Sequence, residues 1–148
     1  MKLKQISVSI ENSPGRLYEI TRALGDAGIN LRALNLVDTG DFGKLRLLVS
    51  DVATTRRILM ELHMPARVDD VVAAEIEDRP GALAEVLKPL MDANVNVVHM
   101  YAHIRANANR AVMIFRFGDI DKAVEILQAH DVTLLDADAF GMLENEGE

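Results

Sequence analysis

The heptapeptide Glu11-Asn12-Ser13-Pro14-Gly15-Arg16-Leu17 returns 66 residues later as Glu77-Asp78-Arg79-Pro80-Gly81-Ala82-Leu83. Working outward from it, the stretch from Ile6 to Leu31 aligns without a gap on the stretch from Val72 to Val97. Ten of the paired positions are identical, among them Ile10/Ile76, Glu19/Glu85, Leu24/Leu90, Ala27/Ala93 and Asn30/Asn96. Ordinary residue frequencies would give about one or two matches in such a window, so the chain is an internal repeat. Further on, Asp51 aligns with Asp119 and Leu59 with Leu127, an offset of 68. Two residues were therefore added between these points, and a hairpin tip is where a fold accepts them.

Each copy reads as the same series of elements. Ile6-Ser7-Val8-Ser9-Ile10 alternates strictly, which predicts a strand with one apolar face and one solvated face. Ser13-Pro14 then reads as an N-cap followed by a proline at the first helical position. Leu17, Ile20, Leu24 and Ala27 follow at helical spacing, and Gly28 closes the helix. Ile29 to Val37 and Lys44 to Ser50 predict a hairpin around Asp38-Thr39-Gly40-Asp41. Asp51 caps a second helix that runs to about His63 and stops before Pro65, and a short strand near Arg67 to Asp70 ends the copy. The second copy predicts strands at Val71 to Glu77, Val95 to Arg105, Arg110 to Phe117 and Thr133 to Phe140. Its helices fall at Ala82 to Ala93 and Ile120 to His130, and Pro89 should bend or shorten the first of them.

Two βαββαβ units of this kind make an α+β protein built from ferredoxin-like split-βαβ modules. The expected organisation is residues 1–70, residues 71–143 and an acidic tail, residues 144–148. Units of about 70 residues lie near the lower limit for an independent core. In the second copy, both strand faces from Val97 to Ile104 carry apolar residues, so the two antiparallel sheets are expected to pack together.

Composition removes several function classes. The 148 residues carry 16 basic and 23 acidic side chains, a net charge of −7, with 49% apolar and 4% aromatic residues. Such a chain repels phosphate backbones and anionic lipid and has few rings for stacking bases, which argues against nucleic acid and membrane partners. No apolar run approaches about 18 residues, and Met1-Lys2-Leu3-Lys4 leads into an alternating segment, which points to a cytoplasmic protein. There is no cysteine, hence no thiolate nucleophile or Cys-ligated zinc. Ser13 has no His and acid pattern beside it, and neither a phosphate-binding loop nor a metalloprotease motif occurs. No cofactor and no catalytic residue is expected. His99 and His103 share a strand face roughly 13 Å apart, too far to share one metal ion.

The two Pro-Gly segments resemble the signature of the ACT domain, each followed near the end of its helix by Ala27-Gly28-Ile29-Asn30-Leu31 or Ala93-Asn94-Val95-Asn96-Val97. The whole chain is similar to stand-alone tandem ACT proteins. That resemblance implies a non-enzymatic regulatory protein that binds a free amino acid near an interface between units, forms a homodimer and modulates a metabolic enzyme or transporter. In serine-binding members of the family, an Asn two residues before the Pro and an Asn just after the first helix touch the ligand. The matching positions are Asn12 and Asn30 in the first copy, Asp78 and Asn96 in the second. The implied ligand residues are Asn12, Ser13, Pro14, Gly15, Arg16, Leu17, Asn30 and Leu31, with Asp78, Arg79, Pro80, Gly81, Ala82, Leu83, Asn96 and Val97 in the second copy. The residues themselves support a zwitterion. A helix start offers unpaired N–H groups to a carboxylate, glycine lets a ligand approach the backbone, and Asn12 or Asp78 can accept from an ammonium group. A rival reading is an oligomerising scaffold whose ligand sites are vestigial.

Overall fold

The computed structural model describes residues 1–104 and 109–143. Its elements are β1 (Leu3–Glu11), α1 (Arg16–Asp26), β2 (Leu31–Asp38), β3 (Phe42–Val49), α2 (Val52–Glu61), β4 (Ala66–Glu77), α3 (Ala82–Asp92), β5 (Val97–Ile104), β6 (Arg110–Phe117), α4 (Ile120–Ala129) and β7 (Thr133–Leu135). Arg105 of the expected β5 strand and the acidic run from Glu144 lie outside the described residues. Two compact units form: Lys4–Asp69 joined by Ala137 and the described residues after it, and Met1–Leu3 joined by Asp70–Asp136.

In the unit that contains Lys4–Asp69, β3 lies between β2 and β1 and runs antiparallel to both. The register sets Ile6 opposite Leu47, Val8 opposite Leu45 and Ile10 opposite Gly43. Because strand side chains alternate, these residues share one face, and the large ones are buried. Ile20 and Leu24 of α1 and Val52 and Leu59 of α2 recur at helical spacing and are buried as well. Each such side chain removed from water contributes about 1.5–3 kcal/mol.

In the other unit the sheet order is β5-β6-β4-β7, all neighbours antiparallel. Counted along this copy, that places the fourth strand beside the first, then the third, then the second, the arrangement of a ferredoxin-like unit. Val72, Ala74, Ile76, Phe115 and Phe117 from the strands meet Leu90 of α3 and Leu127 of α4 in its core.

Five details differ from the sequence expectation. First, α1 begins at Arg16 with Gly15 as its N-cap, at φ 93° and without a side-chain cap, in place of a Ser13 cap with Pro14 inside the helix. Its counterpart Gly81 has φ 85°; both sit in the left-handed region that glycine enters without a Cβ clash. Second, α3 keeps all 11 residues despite Pro89, matching the length of α1. Proline removes a single bond there, and buried Leu90 beside it anchors the last turn. Third, the strand expected near Arg67 to Asp70 and the one from Val71 to Glu77 are one strand, β4, whose sequence contains no glycine or proline to interrupt it. Fourth, the closing strand stops at Leu135. Beyond it Gly141 N donates to Asp138 O and Met142 N to Ala137 O, a turn that buries Phe140 and Met142. Fifth, Gln5 and Ser7, on the β1 face that the alternation assigns to water, are 0% and 8% exposed, while Ser9 stays exposed.

Candidate functional site

The β1–α1 turn is built by four backbone bonds: Ser13 N to Glu11 O at 2.8 Å, Asn12 N to Asp41 O at 2.9 Å, Arg16 N to Ser13 O at 3.5 Å and Glu19 N to Gly15 O at 2.9 Å. Pairing of β1 with β3 sets Glu11 opposite Phe42 and so brings the β2–β3 hairpin tip beside the turn. Asn12 fastens the two together. Its Nδ2 donates to Gly40 O at 3.1 Å and reaches Asp38 Oδ1 at 3.5 Å. Asp38 Oδ1 also accepts from Gly40 N at 2.8 Å. The amide nitrogen of Asn12 is thus spent on the protein, and Oδ1 is the end left for a ligand.

Turn and tip enclose a hollow of about 400 Å³, within the range of about 300–1,000 Å³ typical of small-ligand pockets. Ile10, Pro14, Leu17 and Leu36 supply apolar wall; Glu11, Asn12, Ser13 and Asp38 supply polar groups; Val37, the exposed Gly15 and the buried Gly43 complete the lining. A Cβ added to Gly15 would meet nothing within 4 Å. No side chain caps α1; Arg16 N reaches Ser13 O at 3.5 Å, and the next first-turn amides, those of Leu17 and Tyr18, are the ones offered to an anion.

Of the residues expected from sequence, Asn12, Ser13, Pro14, Gly15 and Leu17 are thereby brought together. Arg16 instead pairs with Glu19 at 2.9 Å, and its Nε is buried without a partner among the described residues. Asn30 and Leu31 follow the far end of α1, about 16 Å of helix away. There Asn30 N donates to Ser50 Oγ and Asn30 O accepts from Ser50 N, both at 2.9 Å. Leu36, Asp38 and Gly43 line the hollow although the repeat did not single them out. Their signal was the strand register, since a hairpin tip that precedes a strand paired antiparallel with β1 must lie beside the end of β1.

The second turn repeats the backbone, but the described residues around it are of a different kind. Asp78 N donates to Asn109 O at 2.8 Å, and Glu85 N to Gly81 O at 3.1 Å. Arg79, which stands where the first copy has Ser13, bridges Glu77 and Glu85, each at 2.5 Å. These contacts raise the Arg79 pKa above its ordinary value, with Glu85 the larger cause, and Arg79 lowers that of Glu85. Among the described residues, the depression at this turn is lined by Glu77, Asp78, Arg79, Asn109 and Arg110, all of them polar. Pro80, Gly81, Ala82 and Leu83 are not among its walls. Asn96 is exposed, with its carbonyl accepting from Gly118 N at 2.9 Å, and Val97 opens β5.

A family model described as an ACT domain pair matches residues 1–143. The chain belongs to the ACT-domain family. Protein BT0572 from Bacteroides thetaiotaomicron has a similar crystal structure, at 37% identity and TM-score 0.90, covering 97% of this chain and 98% of that one. The ligand-free regulatory subunit of aspartate kinase from Thermus thermophilus shares the fold at 17% identity and TM-score 0.62, over 86% of this chain and 90% of that one. Aspartate kinase from Synechocystis does so at 18% identity and TM-score 0.60, over 93% of this chain and 25% of the kinase. A comparison with curated proteins finds no match. The ACT pair holds no group of three or more His, Asp or Glu side chains placed for a metal ion among the described residues. Within the same residues no helix is long and apolar enough to cross a membrane. His99 and Tyr101 stack with ring centroids 6.5 Å apart, and His130 Nδ1 lies 2.9 Å from Ile126 O at the end of α4.

Proposed function

We propose that this ACT pair is a non-catalytic, cytoplasmic amino-acid sensor whose ligand sits in the hollow between the Asn12–Gly15 turn and the Asp38–Asp41 hairpin tip. The observation that carries the reading is the convergence there of uncapped helix amides, an acceptor set and an apolar wall. The α-carboxylate takes the first-turn amides of α1, where the helix dipole favours negative charge. The α-ammonium takes Asp38 and Asn12 Oδ1. Ligand bound at this turn ties α1 to the hairpin tip, and that coupling is what a homodimer or a regulated metabolic enzyme or transporter would read. The second turn is the weaker site, because Arg79 and its two glutamates occupy it.

Thermal-shift screening of the full chain against the common amino acids tests this. A ligand at about 100 times its Kd stabilises by about 2.7 kcal/mol, or roughly 5–10 °C for a chain of this size. Gly15→Val should abolish the shift and Gly81→Val should preserve it. Both variants suffer the same backbone strain, so their difference isolates the site. No shift with any amino acid at millimolar concentration, or equal shifts in both variants, overturns the proposal.

A further inference from the structure

The wall of the first hollow says which side chain its ligand carries. Ile10 and Leu36 approach one another across Gly43: a Cβ placed on that glycine would lie 3.1 Å from Leu36 Cδ1 and 3.6 Å from Ile10 Cγ1. Leu36, on the same sheet face as Ile10, is 47% exposed, an apolar surface that a ligand would cover at a gain of roughly fourfold in affinity per buried methylene. The charged lining residues are Glu11 and Asp38, both acidic, with no Lys or Arg among them. With the helix amides taken by the α-carboxylate, a side-chain carboxylate would meet the like charges of Glu11 and Asp38. The second copy, in the same register, differs at this spot. Ile76 faces Ala111 where Ile10 faces Gly43, and Ala102 stands at the position of Leu36.

We propose that the first hollow selects a free amino acid with an aliphatic side chain of three or four carbons, and that the missing side chain at Gly43 sets that size. The inference rests on reading the hollow as the amino-acid site. Calorimetric titration of the full chain with glycine, alanine, serine, valine, leucine, isoleucine, aspartate, lysine and phenylalanine tests it, on the wild type and on Gly43→Ala. Gly43 has an ordinary backbone conformation and faces a flexible leucine tip, so the variant should fold; an unchanged melting profile checks this. Leucine or isoleucine should bind about 50-fold or more tighter than alanine. Gly43→Ala should weaken leucine about tenfold, the effect of overpacking a fitted pocket, while alanine changes less than about twofold. If glycine, serine, a charged or an aromatic amino acid binds best and Gly15→Val still abolishes that binding, the class is wrong and the site stands. Leucine affinity unchanged in Gly43→Ala overturns the role of the glycine. Binding that survives Gly15→Val, or no binding at all, overturns the site and this inference together.

Discussion

At the scale of single residues, the two copies keep the groups that shape the backbone and vary the groups that would meet a ligand. Pro-Gly is retained in both turns, while Ser13 becomes Arg79, Arg16 becomes Ala82 and Asn12 becomes Asp78. The arginine has moved from one side of the turn to the other, yet in each copy it pairs with the glutamate in the first helical turn. A second retained residue is the cap at Asp51, whose carboxylate accepts from Thr54 N at 3.1 Å and Thr54 Oγ1 at 2.7 Å. Those bonds, led by the hydroxyl, hold its pKa below the ordinary value of 3.8. A depressed carboxyl pKa contributes stability above the unfolded value that disappears as pH falls through the folded one. Asp51→Ala should therefore cost about 1 kcal/mol at neutral pH. The gap between variant and wild type in urea denaturation should narrow steadily below about pH 4. A gap independent of pH would mean that the charge on Asp51 does not strengthen the cap.

At the scale of elements, all four helices end the same way. The amide five residues on bonds back to the last turn: Ile29 N to Leu24 O, Met64 N to Leu59 O, Val95 N to Leu90 O and Val132 N to Leu127 O, at 2.9–3.0 Å. Each closure needs one left-handed residue, and these are Gly28, His63, Asn94 and Asp131. The sequence announces the first by its glycine. The other three are readable only through the repeat, which aligns Asn94 with Gly28 and Asp131 with His63. His63 at φ 58° carries a side chain where the left-handed conformation costs about 1–2 kcal/mol. His63→Gly should thus raise stability by about 0.5–1 kcal/mol, after the extra chain entropy of glycine is subtracted, and Asn94→Gly should gain less because Asn tolerates this region better. Equilibrium denaturation of both variants checks the order. The same logic explains which element edges were legible. Periodicity located the helices because buried positions recur along one face, and Asp51 and Asp119 announced two starts. The start at Gly15 was shifted because Ser13-Pro14 imitates a capped helix entry, and only the backbone angle separates the two.

At the scale of the whole molecule, the repeat made the duplicated fold readable, since ten matched positions impose one topology on both copies. The hollow was half legible: the turn residues stand out in the repeat, but Leu36, Asp38 and Gly43 join them through strand pairing, which no local pattern displays. The C-terminal segment was misread for a physical reason. Leu134, Leu135, Ala137 and Phe140 supply enough apolar positions to imitate a strand, while residues 137–143 lie past the end of the repeat and have no counterpart to correct the reading. They belong to the unit that contains Lys4–Asp69. Leu143 N donates to Ser50 O and Arg32 Nε to Gly141 O, both at 2.8 Å. Met142, 6% exposed, lines a hollow of about 510 Å³ together with Ile29, Arg32, Asp51 and Thr54. Ser50 is also the residue that holds Asn30 at the end of α1, so the segment braces the junction of α1, β2 and α2 from outside. Removing its buried anchor by Met142→Ala should cost about 2–3 kcal/mol. The loss should be local: amide exchange should accelerate at Asn30 and Ser50 before it does where Val72 to Glu77 of β4 pair with Arg110 to Phe115 of β6 in the other unit. Equal acceleration in both places would show instead that the segment stabilises the chain only as a whole.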